Sequence, residues 1–129
     1  MQANNITLSI PASYEYARTV RMMASNLAVL CKMSVDDIED VRMAAEEGFV
    51  YCCATNPPTC HVSFSMDDHS FSMDFVLGAD EFSTKSEADQ GLVNLMLQAV
   101  CDEFDVREHS CLHLSKFFDE VHDNTCDSK

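Results

Sequence analysis

The stretch SVDDIEDVRMAAEEGFVYCC, Ser34 to Cys53, constrains the fold more than any other part of this chain. Ser34 is a good N-cap, because its hydroxyl can accept from a free amide of the first turn, and Asp37 stands three residues on, as in a capping box. Asp36, Asp37, Glu39 and Asp40 lie where the positive end of a helix favours carboxylates. Val35, Ile38, Val41, Ala45, Gly48, Phe49 and Cys52 recur at helical spacing, so the spacing predicts a helix with one buried stripe. Gly48 within that stripe permits close approach of a neighbouring element.

Hydrophobic residues make up 47% of the 129-residue chain, enough for a soluble globular core. One domain is expected over residues 1–118, with 119–129 a polar tail. No run of about 18 apolar residues occurs, and MQANNITLSI lacks the basic region and apolar core of a signal peptide, so the expected location is cytoplasmic. Seven cysteines, an odd number that includes the adjacent Cys52 and Cys53, read as reduced thiols rather than a disulfide framework. Metal-ligand candidates are scattered: Cys60 with His61, then His109, Cys111 and His113, then His122 and Cys126. No metal site is expected from that spacing. The net charge of −14 repels phosphate, which disfavours nucleic acid and anionic membranes; it allows a basic protein partner and equally serves solubility alone.

Along the chain, Ile6, Leu8 and Ile10 alternate with polar residues in NITLSI, predicting a strand stopped by Pro11. A helix of about 17 residues should follow, capped by Ser13, with Tyr16/Ala17, Val20, Met23/Ala24, Leu27 and Leu30/Cys31 on its inner face. After the Ser34 helix, Asn56-Pro57-Pro58 forces a break. TCHVSFSM and FSMDFVL then alternate around the turn Asp67-Asp68-His69, which predicts a hairpin. From Gly91, Leu92, Leu95/Met96 and Ala99/Val100 predict a third helix facing the sheet, and Glu103–Glu108 with Cys111–Phe117 a last strand pair. The order predicts an α+β fold: a two-layer sandwich with helices on one face of a mixed, mostly antiparallel sheet.

LSIPASYEYARTVRMMASNLAVL, MSVDDIEDVRMAAEEGFVYC and GLVNLMLQAVCDEFDV together resemble the anti-sigma-factor serine kinases of bacterial partner-switching systems, within the histidine-kinase-like (GHKL) ATPase superfamily. The resemblance implies that superfamily's fold in a compact version. It also assigns slots. The family's box helix presents a glutamate as general base and, one turn later, an asparagine that holds magnesium; Glu47 fills the first slot and Tyr51 the second. A phenol is a poor magnesium ligand at neutral pH. The Asp-x-Gly-x-Gly-Phe run that reads adenine is matched by LGADEF, with Leu77 at the aspartate, Ala79 and Glu81 at the glycines, and Phe82 at the phenylalanine. The last glycine box is matched by Gly91, Leu92, Val93 and Asn94, and the connection before it offers phosphate no basic anchor beyond Lys85.

These substitutions predict a protein-binding regulator without kinase activity or bound cofactor, its partner a sigma factor or an anti-sigma-factor antagonist. The resemblance also implies a homodimer through the N-terminal region. The alternative is a working serine kinase using ATP and magnesium with Glu47 as base; on the plain alternative Glu47 is surface charge and Tyr51 a plug. A third class is a metal- or thiol-dependent enzyme built on Cys52, Cys53 or the His109–His113 cluster.

Overall fold

The computed structural model describes residues 4–79, 87–107 and 110–119, with backbone placement alone over 87–90. Strand β1 (Asn4–Pro11) leads through a 3-10 turn (Tyr14–Tyr16) into helix α1 (Ala17–Leu30), then α2 (Val35–Ala54). The hairpin β2 (Thr59–Met66) and β3 (Ser70–Val76) follows, then α3 (Glu87–Val100), β4 (Glu103–Arg107) and β5 (Cys111–Phe117). The sheet order is β1-β2-β3-β5-β4, and every adjacent pair is antiparallel. The fold is therefore α+β, three helices over a five-stranded sheet, as the element order predicts.

The period-2 patterns set the two faces of the sheet. Cys60, Val62, Phe64 and Met66 on β2, Phe71, Met73 and Phe75 on β3, and Leu112 and Leu114 on β5 are buried under the helices. Alternate residues form a polar face: Ser9 Oγ lies 2.7 Å from His61 Nδ1, and Ser72 Oγ 2.9 Å from Ser115 Oγ. Between them, His113 Nδ1 is 2.7 Å from Asp74 Oδ1. Cross-strand polar pairs of this kind stiffen a sheet without apolar burial.

Helix α2 is the central element, packed against both other helices and against β2, β3 and β5. Its cap forms as predicted, with the Asp37 amide donating to Ser34 Oγ at 3.1 Å. Gly48 is where it meets the sheet: a Cβ there would lie 2.6 Å from Phe75 Cε1 and 2.9 Å from Leu114 Cδ1. Tight backbone approach replaces a side chain.

Several local expectations are corrected. Ser13 does not cap α1 with its side chain. Tyr16 and Leu30 are exposed; Cys31 is buried as expected, and Ala28 joins the inner face. Val35 is 76% exposed, outside the buried stripe. Asp37 and Asp40 do not face solvent alone; they flank Lys116 of β5 at 3.8 and 2.9 Å. Helix α3 starts at Glu87 rather than Gly91, and it is rotated: Leu97 and Val100 are buried while Leu92 and Leu95 point outward.

Candidate functional site

Glu47 and Tyr51 lie one turn apart on α2, as their spacing requires. Glu47 is half-buried, and its carboxyl is pushed above the usual range, chiefly by burial and then by the neighbouring Glu46. Arg21 of α1 neutralises Glu46 instead, Nη1 donating to Oε1 at 2.9 Å. Tyr51 is only 9% exposed and belongs to the apolar core, and burial raises its phenol pKa. Its ring serves as core.

The exit of β3 is pressed onto the end of α2. The Gly78 amide donates to Thr55 Oγ1 at 2.7 Å, and Thr55 Oγ1 donates in turn to the Cys52 carbonyl at 2.6 Å. Cys52 Sγ donates to the Val76 carbonyl at 3.4 Å. A Cβ on Gly78 would stand 2.1 Å from the Thr55 carbonyl oxygen, so backbone touches backbone and no side chain fits between. Because Gly78 has no positive φ, the requirement is one of space rather than of dihedral freedom. Asn56 makes the turn beneath this contact in the left-handed region, φ 57°.

The remaining slots diverge from one another. Leu77 packs against the core and brings no acceptor for an adenine amine, its amide being held by the Ser110 carbonyl at 2.7 Å. Ala79 is exposed. Gly91 lies inside α3, exposed, with nothing within 4 Å of an added Cβ, so it forms no tight turn at a helix start. Leu92 is exposed and Asn94 half-buried beside it on the same helix. Glu81, Phe82 and Lys85 lie outside the described residues, as do His109, His122 and Cys126. At the described slots, an aromatic core residue, an aliphatic residue and a helical glycine do not fit a magnesium–nucleotide site.

The cysteine–histidine candidates separate for a geometric reason. Cys60 and His61 are consecutive in a strand and point to opposite faces, one into the core and the other onto the polar face. Cys111 and His113 share the polar face and both approach Asp74, at 3.7 and 2.7 Å. Among the described residues no group of three side chains is placed to hold a metal ion.

A second feature escapes the motif reading. Three of the four arginines, Arg18, Arg21 and Arg42, line a groove of about 450 Å³ between α1 and α2, with Met22 and Ile38 as its apolar lining. Arg42 pairs with Glu39 one turn away, yet its buried Nε has no hydrogen-bond partner. Glu39 lines the groove as well, and the Arg42–Glu39 and Arg21–Glu46 pairs offset two of its three guanidinium charges. Its signal was the i, i+3 spacing of Arg18 and Arg21, but Arg42 joins them only when the two helices pack.

No protein-family profile matches this chain, and no curated protein matches it. A solved structure does: the crystal structure of the RsbU and RsbW domains of Rv1364c from Mycobacterium tuberculosis aligns with a TM-score of 0.63 at 14% identity. The alignment covers 90% of this chain and 32% of that one. What the two share is the fold. This agrees with the architecture that the resemblance to anti-sigma-factor kinases implies. No described helix is long and apolar enough to cross a membrane.

Proposed function

We propose that this chain is an anti-sigma-like regulator that acts by gripping a protein partner, a sigma factor or an anti-sigma-factor antagonist, without phosphoryl transfer. The observation that carries the reading is Tyr51, buried in the core at the slot where the resembling kinases hold magnesium. Leu77 at the adenine slot and Gly91 inside a helix support it. Binding requires only a surface, and the groove between α1 and α2, with Arg18, Arg21, Arg42 and Glu39 around Met22 and Ile38, supplies one with charged and apolar contacts.

Thermal unfolding with and without ATP and magnesium tests the first half. No shift is expected, whereas a ligand present at 100 times its Kd would add about 2.7 kcal/mol. Capture of purified sigma factors and antagonists tests the second half, with Arg18→Glu expected to weaken the captured complex about tenfold. The competing kinase reading draws on one observation, the half-buried Glu47 with its raised pKa, which suits a general base. A nucleotide-dependent shift together with phosphate transfer lost in Glu47→Gln would favour it.

A further inference from the structure

Where the β2–β3 turn meets the close of β5, the end of the sheet carries a second groove of about 580 Å³, lined by Asp67, His69, Ser70, Phe117, Phe118 and Asp119. Hydrogen bonds fix its walls. The Phe118 amide donates to the His69 carbonyl at 2.9 Å, the Asp67 amide to the Ser70 carbonyl at 3.1 Å, and the Phe117 amide to Asp102 Oδ2 at 2.5 Å. A smaller hollow of about 380 Å³ adjoins it through Asp67 and Ser70 and reaches Asn4 and Asn5 of β1.

Two groups in this groove are only half used by the fold. Phe117 stands two residues after Ser115 and opposite Ser70, on the polar face of the sheet, and is 50% exposed. All three hydrogen bonds that Asp67 accepts, from the His69 and Ser70 amides and Ser70 Oγ, fall on Oδ1, which leaves Oδ2 without a donor. Those bonds, the His69 amide first, hold the Asp67 pKa below the ordinary value, so the carboxylate is charged at neutral pH. Charge here is one-sided. Asp67 and Asp119 line the groove and Asp102 lies against its wall, whereas none of the lining residues is lysine or arginine, and Lys116, beside Phe117 in sequence, turns to the other face of the sheet to meet Asp40.

We infer that this groove takes an arginine side chain from a segment of a protein partner, the guanidinium lying on the Phe117 ring and donating to Oδ2 of Asp67. Arginine suits the pair better than lysine, because a planar guanidinium can stack on an aromatic face and still present N–H donors at its edge, whereas an ammonium is a strongly hydrated point charge. The turn holds Asp67 in place before anything binds, so little order is lost on binding. A net charge of −14 repels both nucleic acid and a second copy of the chain, and favours a segment of opposite sign. Residues 120–129, which follow Asp119, contain no arginine and add the carboxyl groups of Glu120, Asp123 and Asp127, so they are a poor occupant. No residue is shared with the groove between α1 and α2, so either surface can fail its test without the other.

The test is an NMR titration of the isotope-labelled full chain with N-acetyl-arginine amide, and in parallel with N-acetyl-lysine amide and the uncharged N-acetyl-citrulline amide. The arginine amide should give saturable shifts confined to residues 67–70 and 117–119, at least about three times those of the lysine amide, and the citrulline amide none. Added sodium chloride should shrink them. Asp67→Asn keeps an oxygen for the turn amides while removing the charge, and Phe117→Leu removes only the aromatic face of an exposed side chain; each should reduce the shifts several-fold. A nine-residue peptide with one central arginine and no other charge should bind about tenfold more tightly than the amide, through backbone contacts in the adjoining hollow. Equal shifts from the citrulline amide, unsaturable shifts spread over the whole acidic surface, or full shifts in both variants would overturn the site. Equal shifts from the lysine amide would overturn the choice of arginine, and a peptide no tighter than the amide would overturn the protein segment. Nuclear Overhauser contacts between residues 120–129 and Phe117 in the free chain would overturn the inference by making the chain its own occupant.

Discussion

Lys116 on β5 donates to Asp40 on α2 at 2.9 Å and lies 3.8 Å from Asp37, tying the end of β5 to the first turns of the central helix. The lysine side chain is 18% exposed. Burial works against its charge, but the hydrogen bond and the nearby carboxylates of Asp40, Asp102 and Asp37 outweigh that, so its pKa is raised.

Replacement of Lys116 by Met leaves the carboxylates of Asp37 and Asp40, three residues apart on α2, without their cation, and a loss of about 1 kcal/mol is expected from denaturant unfolding. A double-mutant cycle with Asp40→Asn should return most of that loss as coupling. Because the folded pKa is raised, this stabilisation is complete below the unfolded value of about 10.4 and fades as pH rises through the folded one. Wild type and Lys116→Met should therefore converge in strong alkali.

Lys32 closes α1 in the left-handed region at φ 61°, with its amide on the Val29 carbonyl and the Met33 amide on the Ala28 carbonyl, the two bonds of a Schellman cap. A lysine bears a steric cost in that conformation that glycine does not. Lys32→Gly is expected to raise stability by roughly 0.5–1 kcal/mol, read as a higher melting temperature.

Gly78 and Gly91 should respond to alanine with opposite sign. At Gly78 the new Cβ meets backbone at 2.1 Å, and a loss of at least about 2 kcal/mol is expected. At Gly91 it enters open space inside a helix, and a gain of about 0.5–1 kcal/mol is expected. Paired urea titrations of the two variants check both.

Asp67 folds its carboxylate back over the β2–β3 turn, accepting from the His69 and Ser70 amides at 2.8 Å each and from Ser70 Oγ at 3.1 Å. These bonds, the His69 amide first, hold its pKa below the ordinary carboxylate value. A depressed folded pKa stabilises above the unfolded value, about 3.9, and that contribution is lost as pH falls through the folded one. The melting-temperature gap between wild type and Asp67→Ala should be full at neutral pH and close progressively in acid below about pH 4.

The strands and the α2 cap were legible because each rests on a local rule: period-2 alternation in TCHVSFSM and FSMDFVL, and Ser34 three residues before an amide that it could satisfy. Helix α3 was legible in kind but not in rotation. Leu92, Val93, Leu95, Met96, Leu97, Ala99 and Val100 are so nearly continuous that several faces qualify, and only packing against α2 and the sheet chooses among them. At the candidate site, the residue types at Tyr51 and Leu77 could be read one by one. The Gly78–Thr55 contact could not, since it joins residues 23 apart through their backbones. The arginine groove was hidden for the same reason, its third member arriving from a different helix.

At 1.5 Å per residue, the 20 residues of α2 make a rod about 30 Å long. Arg42 faces the α1 groove from its first half, and Cys52 and Thr55 hold the exit of the third strand at its far end. The groove beside Arg42 and the strand exit therefore stand about 15 Å apart along one continuous helix.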